Sequence, residues 1–187
     1  MHLLAITPGR GFDPEAWARV LGAGVDGFLI REPAMEARGL LAAAHWCRER
    51  APDVELWVRG RLDVALAAGA GLHLPEHHPP VPPALARISR PLHGPDQAES
   101  RRNAAQLLVS PVFPSPGKGP PWGVERLHAF LDGLGTPMPR LLALGGVEAS
   151  NAAALRHPRL AGIAVIRALW DAPDPARAAA ALRAAWA

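Results

Sequence analysis

Lysine is almost absent from this chain: of its 20 basic residues, all but Lys118 are arginine. Cysteine is as scarce. With Cys47 the only thiol, no disulfide can form within the chain, and a reducing, cytoplasmic setting is expected. No apolar run approaches the length of about twenty residues that a membrane-spanning helix needs. The opening MHLLAITPGRGFD has no basic flank and turns into a Pro/Gly loop after a few apolar residues, unlike a secretory signal. Basic runs interleaved with aromatics are missing too. The arginines are scattered and the net charge is only +3, so neither nucleic acid nor a membrane is an expected partner.

What is present is a rhythm. Short runs rich in Val, Ile and Leu recur at 3–7, 27–31, 55–59, 71–75, 88–93, 107–113, 140–146 and 162–169. They are continuous rather than alternating, the pattern of strands buried on both faces of a parallel sheet. Between them lie Ala/Leu/Arg segments with helix-starting residues at Asp13-Pro14, Asp96, Ser150 and Asp174-Pro175, a short helical segment RLDVALAAG with Asp63 inside it, and a further one over 124–131. Eight strand-then-helix units in a single domain, 1–187, predict an α/β fold of the compact (β/α)8 TIM-barrel type; a doubly wound sheet usually has fewer strands. The Pro-rich stretches 79–83 and 111–121 read as loops, because the strand rhythm resumes after each. Trp46, Trp170 and Trp186 fall on helical segments, where they could serve the core or a homodimer interface.

In such a barrel the chemistry gathers at the C-terminal ends of the strands. Those ends carry Thr7, Arg31, Glu32, Arg59, Arg61, His73, His93, Ser110, Gly145, Gly146 and the stretch from Val165 through Ile166 to Arg167. Gly145-Gly146 stands directly before a helix-starting segment, and small residues there let backbone N–H groups approach an anion. Loops after the seventh and eighth strands of barrels frequently hold phosphate, so a small phosphorylated molecule is the expected ligand. Paired glycines can equally serve only a tight turn.

Six segments in order, REP, RGRLDVALAAGAGLHLP, PLHGPDQA, SPVFPSPGKG, LALGGVEASNAAAL and GIAVIRAL, resemble the thiamine phosphate synthase and TenI superfamily from the second strand almost to the C-terminus. The resemblance implies a barrel that binds thiazole phosphate, with Gly145, Gly146, Val165 and Ile166 at the phosphate and Lys118 beside its oxygens. Arg31 matches the arginine of the family's LREK and would position a ligand carboxylate, with Arg59, Arg61 and Ser110 also at the substrate. The synthase uses Mg²⁺ to hold a leaving pyrophosphate, and this ion wants carboxylates. Gly60 and His78 stand where the family carries those aspartates, Pro33 replaces the LREK lysine, and Pro91 replaces a small hydroxyl residue. Arg59-Gly60-Arg61 and Leu74-Pro75 agree instead with the NGR and QLP of the TenI branch, which implies a thiazole tautomerase: one acid/base group, no metal and no cofactor.

TenI's own acid/base histidine falls at Pro111, which cannot titrate. Three replacements face the same mouth: His93 first, then His73, then Glu32. A non-catalytic thiazole phosphate binder, or residual synthase activity, are the competing expectations. His73, His77, His78 and Glu76 invite a metal reading, but Pro75 and the following prolines break any helix that would align them, and the spacing matches no strong zinc pattern.

Overall fold

Eight parallel strands close into a barrel in sequence order, with the eighth returning to pair with the first. A computed structural model of the chain describes residues 1–79, 81, 82 and 84–187. β1 (His2–Ile6) leads to α1 (Pro14–Leu21), β2 (Gly27–Ile30) to α2 (Ala37–Arg50), and β3 (Glu55–Arg59) to α3 (Leu62–Ala67). β4 (Gly71–His73) passes into the proline loop 79–83, of which Pro80 and Pro83 lie outside the described residues, and then into β5 (Ile88–Leu92). Two 3-10 turns (Pro95–Gln97 and Glu99–Arg101) precede β6 (Gln106–Val109), which is followed by α4 (Val124–Gly133) and β7 (Arg140–Leu144). A 3-10 turn (Ala152–Leu155), β8 (Gly162–Val165), α5 (Arg167–Trp170) and α6 (Pro175–Trp186) complete the chain.

Asp13 and Asp174 act as expected: the Asp13 side chain accepts two backbone N–H groups of the turn it precedes and Asp174 accepts one, and a proline stands at the first helical position of each helix. Asp63 lies within the first turn of the short α3, which Arg61 precedes. The helix expected after Asp96 is only a pair of 3-10 turns, and the expected strand 162–169 ends at Val165.

Strand alternation divides the apolar residues into two layers. Leu4, Ile6, Leu29, Trp57, Leu108, Leu142 and Ala164 fill the barrel interior, while Leu3, Ala5, Phe28, Ile30, Leu56 and Val58 face the helices. Trp57 takes space that only glycine leaves open: a Cβ on Gly71 would lie 2.3 Å from its ring. Outside the strands, Trp17 packs on Phe12 and Phe28 with ring centroids 5.0 and 5.4 Å away, while Trp170 closes on Trp17 and Trp46 on Phe12. Cys47 is buried among helix residues, and burial pushes its thiol up to about 12. No helix among the described residues is long and apolar enough to cross a membrane.

The N-terminal end of the barrel is plugged by charge. Glu55 bonds Arg140 and, at 2.6 Å, Arg87, and Arg140 also donates to Gln106 Oε1 at 2.8 Å. Burial opposes the Glu55 charge, but the two guanidiniums outweigh it and hold the carboxyl below its ordinary range.

Candidate functional site

At the opposite, C-terminal end, a cleft of about 80 Å³ opens between the loops after β7 and β8. Gly145, Gly146, Val165 and Ile166 line it together with Ser115, Glu148 and Arg167. Both glycines have positive φ, +104° and +64°, and a Cβ on either would press within 3 Å of the 111–114 loop. Val112 and Phe113 N–H groups donate to the Leu144 and Gly145 carbonyls, which fastens that loop against the cleft. The Leu169 and Trp170 N–H groups of the short α5 both donate to the Ile166 carbonyl, which closes its single turn at the edge of the cleft. Lys118 is exposed on the same loop and does not line the cleft; its backbone N–H closes a turn onto the Ser115 carbonyl.

A second polar cluster crowns β2, β3 and β4. Ile30 pairs with Val58 and Arg59 with His73, so Arg31, Arg59 and His73 stand side by side on three adjacent strands, on the inward parity of Leu29 and Trp57. Neither guanidinium has an acidic partner among the described residues. Burial, and then the charge of Arg31, hold the Arg59 guanidinium below its usual value. His73 is 7% exposed, with Nδ1 2.9 Å from Ser89 Oγ, and Gln106 Nε2 donates to that same oxygen at 3.2 Å. Burial, with the charges of Arg59, Arg31 and Arg90, pushes the imidazole down to about 3, so the ring is neutral at physiological pH.

His93 sits on the rim between these clusters. Its Nδ1–H donates to the Ser110 carbonyl at 2.7 Å, which leaves the lone pair of the neutral ring on Nε2, 3.7 Å from Glu76 Oε2. Glu76 is itself bound to buried Arg101 at 2.5 Å and to Gln97 at 3.0 Å; burial opposes its charge, but the Arg101 bond prevails and keeps the carboxyl below its ordinary range. The other sequence candidates are drawn elsewhere. Glu32 is buried, and its two oxygens accept Gly9 N–H at 3.0 Å and Gly11 N–H at 2.7 Å, so it holds the β1–α1 loop rather than facing a substrate. Arg61 turns outward into a two-bond pair with Asp63.

These residues do not fit a hard divalent cation. Both Glu32 oxygens are spent on amides, and Glu76 is spent on Arg101 and Gln97. Among the described residues no three His, Cys, Asp or Glu gather closely enough to hold a metal. Sequence reading missed Ser89 and Gln106, which lie within β5 and at the start of β6 rather than at strand ends, and Ser115 and Glu148 in the cleft. The strand alternation does carry a signal for the first two, since a polar residue on an inward position must find a partner.

Residues 3–169 match the family model described as thiamine monophosphate synthase. The thiamine-phosphate synthase of Deinococcus radiodurans is 36% identical over 98% of this chain and 73% of its own length. That of Thermus thermophilus is 32% identical over 96% of this chain and 94% of its own. Among solved structures, the thiamine phosphate pyrophosphorylase of Pyrococcus furiosus superposes with a TM-score of 0.85 at 24% identity, covering 98% of this chain and 94% of that one, which bears on the fold alone. With a closed eight-stranded barrel and matches of this length, the chain belongs to the thiamine monophosphate synthase and TenI family.

Proposed function

We propose that the chain serves thiamine biosynthesis as a metal-independent isomerase of a thiazole carboxylate phosphate, its phosphate seated between the β7 and β8 loops. The observation that carries this reading is the setting of His93. Ser110 fixes the Nδ1 proton, so the neutral ring has its lone pair on Nε2, and Glu76 stands beside Nε2 to stabilise the imidazolium once it forms. Nε2 takes a proton from one ring position, the freed electron pair shifts within the thiazole, and the same Nε2–H returns the proton at the second position. The proton account closes with no metal, oxidant or second substrate. The resemblance to TenI supports this chemistry, and Pro111 in place of its histidine moves the titrating group one strand away, to His93.

The test is isomerisation of thiazole carboxylate phosphate in the presence of a metal chelator. Turnover is expected, and His93→Gln should lower kcat by about a hundredfold or more while leaving ligand affinity near the wild-type value. Full turnover in that variant overturns the assignment, and binding without turnover in the wild type would make the barrel a carrier. A second reading, thiamine phosphate synthesis, is favoured by the names of the relatives at 32–36% identity. Product formation that requires Mg²⁺ would establish it.

A further inference from the structure

A polar chain crosses the barrel from its mouth to its floor, buried at His73 Nδ1, Ser89 Oγ and the Gln106 amide and half-buried at Arg140 and Glu55. Its direction can be read from donor and acceptor chemistry. Arg140 can only donate, so Gln106 turns its Oε1 toward Arg140 and its NH₂ toward Ser89. Ser89 is fully buried, and its hydroxyl has two side-chain neighbours among the described residues, Gln106 and His73. Having accepted from Gln106, the hydroxyl has one place for its own proton, the Nδ1 lone pair of His73. The alternative leaves a buried hydroxyl proton unpaired, which costs roughly 1–3 kcal/mol. The ring proton of neutral His73 therefore sits on Nε2.

We infer that Gln106 and Ser89 hold His73 as an Nε2–H donor, so that Arg31, Arg59 and His73 form an all-donor receptor at the barrel mouth for a carboxylate-type oxyanion, the second anionic group of the substrate. His73 is then a binding residue and cannot serve as the base. His93 is fixed by the Ser110 carbonyl in the opposite tautomer, so one histidine donates and the other accepts. The three donors occupy adjacent strands at one level, and the nearest carboxylate by sequence, Glu32, is engaged with two backbone amides. The cluster thus presents positive charge with no protein anion to meet it. The inference rests on the proposed function for the position of the phosphate end.

Two measurements test it. In ¹⁵N-histidine-labelled protein, two-bond ¹⁵N–¹H correlations should show His73 as the Nε2–H tautomer across neutral pH, and Ser89→Ala should let the Nδ1–H form appear. An Nδ1–H tautomer in the wild type overturns the inference. Calorimetry with thiazole phosphate, with and without a ring carboxylate, supplies the second measurement. Arg59→Gln, which removes none of the hydrogen bonds of the polar chain, should weaken the carboxylate compound by roughly ten- to a hundredfold and leave the carboxylate-free compound unchanged. Equal loss for both compounds, or no loss for either, overturns the receptor. If neither thiazole binds the wild type, the proposed substrate falls, and the donor assignment is decided by the spectrum alone.

Discussion

Gly145 and Gly146 answer two demands at one point in the chain: a left-handed backbone and the close approach of the 111–114 loop. Their replacement therefore separates from that of an ordinary loop glycine. Gly146→Ala should destabilise by about 1–3 kcal/mol through strain and collision with the Pro114 carbonyl. Gly119→Ala, whose Cβ meets nothing within 4 Å, should change stability by less than about 0.5 kcal/mol. Urea denaturation of the two variants checks both figures; equal effects would show that the cleft glycines are not under constraint. At this scale the sequence revealed residue types but not their engagements. Glu32 looked like a free acid because its partners are backbone amides of Gly9 and Gly11, which no side-chain motif records. Arg61 looked like a ligand because nothing in its spacing distinguishes an outward pair with Asp63 from an inward aim.

Among the elements, caps were legible and short helices were not. Asp13 accepts from the Glu15 and Ala16 N–H groups at 3.0 and 3.1 Å, so Asp13→Ala should cost about 1 kcal/mol, read as a lower urea midpoint with an unchanged slope. A cost near zero would mean that the helix start is held by packing alone. The stretch GIAVIRAL reads as one strand because its apolar run is unbroken, yet Ile166 turns to φ −117°, ψ −86° and four residues of helix follow. Periodicity cannot mark a boundary inside so short a run. The eight strands were legible for the opposite reason: both faces of each are covered, and each demands a continuous run of apolar residues.

For the molecule as a whole, buried charge sets the response to acid. His73 titrates near 3 in the fold against an ordinary 6.5, so the unfolded chain takes up that proton first as pH falls. Its contribution is complete above pH 6.5 and declines from there toward about 3. Burial lowers His2 in the same direction. Asp26, Glu55 and Glu76, each held below the ordinary carboxylate value, add stability that is present above that value and lost as pH falls through their folded ones. The urea midpoint should therefore drop between pH 7 and pH 5, and His73→Asn should flatten that drop; an unchanged slope in the variant would remove His73 as its source. The architecture was legible in the eight runs, while the axial chain was not, because Ser89, Gln106, Arg140 and Glu55 come together only when the barrel closes.

Closure has a further consequence during synthesis. β1 completes its pairing only when Gly162 meets His2, and a Cβ at Gly162 would overlap the His2 carbonyl, so no other residue can take that seat. The 160 residues added after His2 to reach Gly162 take on the order of ten seconds or more to translate at roughly 5–20 residues per second. Through that interval one edge of β1 stays unpaired on the ribosome. A nascent chain of this design depends on speed of elongation or on a chaperone to keep that edge from a neighbour, and a substitution at Gly162 would be felt first as lost yield of soluble protein.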